Sequence, residues 1–266
     1  MSKLYFVAIH TEPTSGSNAS RLFEKYFNNL KNIVIKANDN NIKLTLMCPA
    51  QLGGFVYNNP SRLQTITQWK ASGHEIAVHR HSIYHTDNCW DGYTNYTKEE
   101  VVALGVMTGR MYDRKYIGNL NQFMTEVYKF NPQSNSGCCN DERDINDLPN
   151  EIIYDTCGKK VGTINQIKSQ ISGVNKDILT KTVKGIKRYW LSHYKIDQYE
   201  GQEIGKTTYN NMRNGVFGSI AHSTDNGIDG YMTWIDFLHS KDPNGSKSKT
   251  LSQIIVDHLI PERPVQ

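Results

Sequence analysis

The sequence predicts an α/β protein built around a mostly parallel sheet, and three observations carry that prediction. Short apolar runs alternate with amphipathic stretches along the whole 266-residue chain, as successive βα units require. The first run, Leu4-Tyr5-Phe6-Val7-Ala8-Ile9, is apolar without a break, which suits a strand buried on both faces. No linker, internal repeat or low-complexity block interrupts the alternation, so residues 1–266 are expected to form one domain.

The elements follow in order. After Leu4–Ile9 comes the polar loop Thr14-Ser15-Gly16-Ser17-Asn18, and then Leu22, Phe23, Phe27, Leu30, Ile33 and Val34 recur at helical spacing between Ala19 and Asn38. Residues 42–47 read as a second strand. Pro60 to Ala71 reads as a helix with Asn59 as its N-cap and Gly73 just past its end, leading into a third strand over Glu75–Val78. Thr97-Lys98-Glu99-Glu100 has the capping-box pattern and opens a helix to about Val106, and another is expected over Tyr116–Phe130. Ile152–Tyr154 and Tyr189–Leu191 are candidate strands, whereas residues 159–187 read as largely solvent-facing. Gly215–His222 is the last strand of the pattern, followed by helices over Tyr231–Leu238 and Leu251–Leu259.

Composition excludes several classes. The net charge of +4 is small and spread out, and no basic face with interleaved aromatics points to nucleic acid. No apolar run reaches the roughly 18 residues a membrane span needs. The N-terminus reads as a first strand rather than a secretory leader, which points to the cytoplasm. Five cysteines (Cys48, Cys89, Cys138, Cys139 and Cys157) without CxxC spacing are expected to be free thiols.

The strongest local feature is a cluster of histidines. Four of the nine, His74, His79, His81 and His85, fall within twelve residues. Neutral imidazole ligates zinc and other first-row metals, and a strand ending at His79 delivers it to the carboxyl edge of the sheet, where α/β proteins build their sites. His81 and His85 would share a face if the chain turns helically there. His74, before the strand, reads as structural.

The stretch Gly73-His74-Glu75-Ile76 with the histidines after it resembles the second motif of the polysaccharide deacetylases, the NodB-homology or carbohydrate esterase family 4 group. The order of strand, acidic motif, helix, strand, helix and GHEI matches that family over about the first 90 residues. The resemblance implies a distorted (β/α)7-type barrel and metal-dependent removal of N-acetyl or related acyl groups from a carbohydrate. It implies a divalent ion, Zn²⁺ or similar, held by Glu12 with His79, His81 and His85 as competing ligands. Glu12 stands for the family's metal-binding Asp and Thr11 stands where the family keeps its base. His10 adjoins Thr11 but, on a strand, points to the opposite face. A late histidine would protonate the leaving amine; His222, ending the run VFGSIA, fits better than His239, which falls at a helix end. The family's arginine loop has only Asp141 or Arg143 as counterparts. Trp90, Tyr93 and Tyr96 could form a sugar-stacking wall or cover the barrel's end, and His193 reads as packed or groove-lining. The same residues also fit a carbohydrate-binding pseudoenzyme, or a metal-dependent esterase or amidase.

Overall fold

The computed structural model describes residues 3–14, 18–83, 90–108, 116–130, 136–138, 147–157, 173–197 and 199–265. Strand β1 (Lys3–His10) is followed by α1 (Ala19–Asp39), β2 (Leu44–Cys48), α2 (Leu52–Tyr57), α3 (Pro60–Ala71) and β3 (Glu75–Val78). Then come α4 (Lys98–Thr108), α5 (Leu120–Tyr128), β4 (Ser136–Cys138), β5 (Tyr154–Cys157) and β6 (Val174–Asn175). The hairpin β7 (Ile178–Val183) and β8 (Ile186–Ser192) leads to β9 (Tyr194–Lys195), α6 (Tyr199–Asn211) and β10 (Gly215–His222). The last elements are α7 (Asp225–Lys241), α8 (Leu251–Val256) and β11 (Glu262–Pro264).

The strands form two sheets, β3-β2-β1-β10-β6 with β9 against β10, and β11-β7-β8-β5-β4. Within the first sheet β3, β2, β1, β10 and β9 run parallel, and β6 is antiparallel to β10. The sheets approach at β3 beside β4 and at β6 beside β8. At the second junction Asn175 ties the edges together: its side chain accepts from Ser192 N (2.6 Å) and donates to Ser192 O (2.9 Å). The result is the mixed α/β, barrel-like architecture expected from the sequence.

Strand periodicity then sorts side chains into two compartments. On β1, Leu4, Phe6 and Ala8 point inward, with Met47, Ala77, Leu191, Val216 and Ile220 from neighbouring strands. Tyr5, Val7 and Ile9 point outward, against Phe27, Leu30 and Ile33 of α1 and Trp234, Ile235 and Leu238 of α7. Helix α8 supplies Leu251, Ile254 and Ile255 to the inner compartment.

Helix ends follow the residues expected to set them. Asn59 accepts hydrogen bonds from the amides of Ser61 and Arg62, with Pro60 at the first helical position. Gly73 takes φ +87° past α3. Thr97 and Glu100 form a reciprocal capping box (2.7 and 3.2 Å). Helix α5 begins at Leu120 rather than Tyr116, because Asn119 caps it and Ile117 N instead donates to Gly92 O.

Of the stretch 159–187, residues 159–172 lie outside the described residues. Within 174–187, Asn175, Ile178, Leu179 and Thr180 are buried and the others are half-buried or exposed, so the stretch is largely solvent-facing as expected, yet it carries strands. It holds β6, β7 and the start of β8, with Ile178 and Leu179 fully buried. Lys184 (φ 51°) and Gly185 (φ 80°) turn the hairpin, a two-residue signal that the surrounding lysines obscured.

Gly218 marks the tightest approach inside the barrel. A Cβ there would lie 2.3 Å from Ser192 O and 2.4 Å from the Phe6 ring. Gly218→Ala is therefore expected to lower stability by about 1–3 kcal/mol through overpacking. Urea unfolding would show a reduced midpoint at unchanged slope, and a wild-type midpoint would refute the crowding argument.

Candidate metal centre

The inward rows of four strands each run on into a histidine at the carboxyl end. Ala8 leads to His10 and then Glu12, Ala77 to His79 and then His81, Leu191 to His193, and Ile220 to His222, in steps of two. The parallel register sets His10 directly beside His222.

Glu12 is the anion among these rings. Its Oε1 lies 3.7 Å from His79 Nε2 and 3.2 Å from His222 Nε2, and its Oε2 lies 3.4 Å from His81 Nε2. Donor atoms of Glu12, His79 and His81 all fall within 4.8 Å of one another. Two imidazoles and one carboxylate are a ligand set that zinc takes in catalytic sites, leaving a further position for water. His79 supplies an independent test of fit: it is buried, and neither ring nitrogen has a hydrogen-bond partner among the described residues. Such orphaned buried polar atoms are rare unless something else satisfies them.

His79 and His81 reach the site from one face of an extended segment, at spacing i, i+2. His85, together with Asp141 and Arg143, lies outside the described residues.

The face assignment around Glu12 decides which neighbours belong to the site. Thr11 is turned outward, where its Oγ1 accepts from Ser223 Oγ (3.0 Å). His10 does point opposite to Thr11, but that is the inward face, shared with Glu12. Its ring centroid lies 4.3 Å from that of His79 and 5.5 Å from those of His193 and His222. Among the described residues His10 Nε2 is buried without a hydrogen-bond partner, and His193 Nδ1 is 2.9 Å from Thr156 Oγ1.

Asp197, which the sequence reading did not single out, completes the group. It accepts from the His222 amide (2.9 Å) and lies 2.5 Å from His222 Nδ1. An acidic residue two positions after β9 was the available signal, and only the pairing of β9 with β10 makes it meaningful.

The charges of this cluster follow from its surroundings. Burial opposes charge on His222, but the hydrogen bonds to Asp197 and Glu12 and their negative charges outweigh it, pushing its pKa up to about 9. Burial likewise pushes Glu12 up, but the bond from His222 and the imidazoles of His79 and His81 outweigh it and hold the carboxyl well below its usual range. Burial, reinforced by neighbouring imidazoles, keeps His10 well below its ordinary value and His193 at about 3.

The other candidates are structural. His74 Nδ1 accepts from Leu44 N (3.1 Å), and its Nε2 is 3.0 Å from Asn38 Oδ1, so it staples β2 to α1. His239 Nδ1 is 3.3 Å from Asn40 O, about 20 Å along α7 from the end that follows His222. Trp90 donates to Tyr93 O (3.1 Å) and Tyr93 rests edge-on against Phe123. Both are buried, so neither presents a face for stacking a sugar.

No family model matches the chain, and no curated protein sequence matches it. Solved structures do. The crystal structure of a Mycobacterium smegmatis protein described as a polysaccharide deacetylase aligns over 98% of this chain and 93% of its own, with TM-score 0.55 and 11% identity. The chain has the polysaccharide-deacetylase fold. Peptidoglycan deacetylase PdaC from Bacillus subtilis also aligns, over 97% of this chain and 92% of its own, at 11% identity and TM-score 0.42.

A pH dependence follows. The raised pKa of about 9 exceeds an unfolded histidine's value of about 6.5. Protonated His222 therefore contributes stability in full below about pH 6.5, and the contribution is lost as pH rises through about 9. In metal-free protein, Asp197→Asn is expected to bring the His222 titration down towards the ordinary histidine range. Proton NMR of the imidazole would show the shift, and an unchanged titration would remove Asp197 from the account.

Proposed function

We propose that this chain is a divergent, metal-dependent member of the polysaccharide deacetylases that hydrolyses an N-acetyl or related acyl amide on a carbohydrate. The observation that carries the reading is the donor set Glu12, His79 and His81 at the barrel mouth, beside a histidine held by its own aspartate.

Glu12, His79 and His81 would hold the ion, and Zn²⁺ fits their chemistry; His85 remains a further ligand candidate. The bound ion supplies a lowered pKa for water and polarisation of the acyl carbonyl. His222 does the proton work on the leaving side. Asp197 fixes its Nδ1, which leaves Nε2 facing the site to hand a proton to the departing amine. The buried walls of His10 and His193 stay uncharged, so they add no positive charge beside the carboxylate of Glu12.

The outward turn of Thr11 favours a second reading. With no carboxylate base beside Glu12 among the described residues, a carbohydrate-binding protein of the same fold that has lost the reaction also fits.

Metal analysis of purified protein, with acetate release from N-acetylated oligosaccharides, separates these outcomes. One equivalent of metal and chelator-sensitive acetate release are expected. Glu12→Gln and His81→Ala should lose the metal, whereas His222→Ala should keep it and lose about 10²–10⁴-fold in rate. Metal without release from any such substrate supports the binding protein, and protein that takes up no divalent metal overturns both readings.

A further inference from the structure

Between the two ligand candidates His79 and His81 stands Arg80, whose guanidinium is completely buried. An arginine in an apolar interior is costly unless every donor is used and its charge is matched. Here both conditions are approached. Nη1 pairs with Asp91 Oδ1 and donates to His81 O (3.0 Å). Nη2 donates to Asp147 Oδ2 (2.7 Å), Tyr93 O (2.7 Å) and Asp147 O (3.2 Å). The guanidinium also lies 5.1 Å from the Phe123 ring centroid.

These bonds converge on the backbone of His81. Its amide donates to Asp91 Oδ2 (3.2 Å), and its carbonyl accepts from both Arg80 and Asp91 N (3.0 Å). Asp91 Oδ1 in turn accepts from Tyr93 N (3.0 Å), and Asp147 Oδ1 accepts from Thr94 Oγ1 (2.8 Å). His79 is fixed separately, by its amide on Cys48 O (2.8 Å). The segment carrying both imidazoles is therefore held on its outer side by charge-assisted bonds.

We propose that Arg80, with Asp91 and Asp147, is a positioning device that sets the His79–His81 spacing before any metal arrives. The proposal rests on the metal-centre reading above. Its physical basis is alternation: residues 79 and 81 face inward, so residue 80 must face outward. There a planar five-donor fork can bind two carboxylates and three carbonyls at once, which a lysine cannot. Groups that orient metal ligands in this way change affinity by about 10–100-fold when removed.

Co²⁺ titration against a competing chelator, followed by visible absorption, tests this on the full chain. Wild-type protein that takes up no Co²⁺ defeats the metal-centre reading and the proposal with it, a failure visible without any variant. If the wild type binds, Arg80→Lys is expected to bind about 10–100-fold more weakly with an altered absorption envelope, while retaining cooperative unfolding. Asp91→Asn, which keeps Arg80, should reproduce the spectral change, and it carries the test alone if Arg80→Lys does not fold. A folded variant with wild-type affinity and spectrum reduces the cluster to packing and overturns the proposal.

Discussion

Everything at the mouth of this barrel depends on strict alternation along extended chain. A residue that follows an inward Ala8, Ala77, Leu191 or Ile220 by two steps has no choice of compartment. Four histidines and Glu12 occupy those positions, so the site is a continuation of the core's inner row past the point where apolar side chains stop. Slipping any of these strands by one residue would exchange His10 for Thr11, or His79 for Arg80, and dismantle the site. The core and the chemistry share one register, and the burial of Phe6 and Ile220 enforces both.

Alternation also explains the division of labour on either side of each strand. Inward, rings crowd around one carboxylate, and burial together with the neighbouring imidazoles keeps His10 and His193 uncharged. The exception is His222, which has an anion on each nitrogen. Outward, Thr11 and Arg80 are taken up by hydrogen bonds to neighbouring segments. Glu12 stays ionised with the protonated His222 beside one of its oxygens, which places a paired carboxylate at the centre of the mouth.

Much of this was legible in the sequence. The cap at Asn59 and the capping box at Thr97 rest on interactions within a few residues, and the strands Leu4–Ile9 and Gly215–His222 announce themselves by unbroken apolar runs. The histidine cluster and Glu12 were visible as residue types. Pairings between distant segments were not visible. Asp197 means nothing until β9 lies against β10, and His193 until its strand joins the same ring of walls. The faces of His10 and Thr11 were assigned correctly relative to each other, but only the inner row of β1 shows which of them belongs to the site. The hairpin within residues 174–187 was not legible, because its lysines face solvent as their polarity suggests and its buried face is only a few residues wide.

The central pairing has a kinetic side as well. β1 lies between β2 and β10, and its hydrogen-bonded partner Val216 is more than 200 residues away from Leu4. Closing such a loop is slow, and until it closes one edge of the most apolar strand in the chain stands open. During synthesis, at about 5–20 residues per second, that edge waits on the order of ten seconds or more for its partner to be made. The strand that orders the site is thus also the segment most exposed to mispairing while the chain is young. Helix α1, which covers its outer row, and β2, which pairs with its other edge, are the early shelter it has among the described elements.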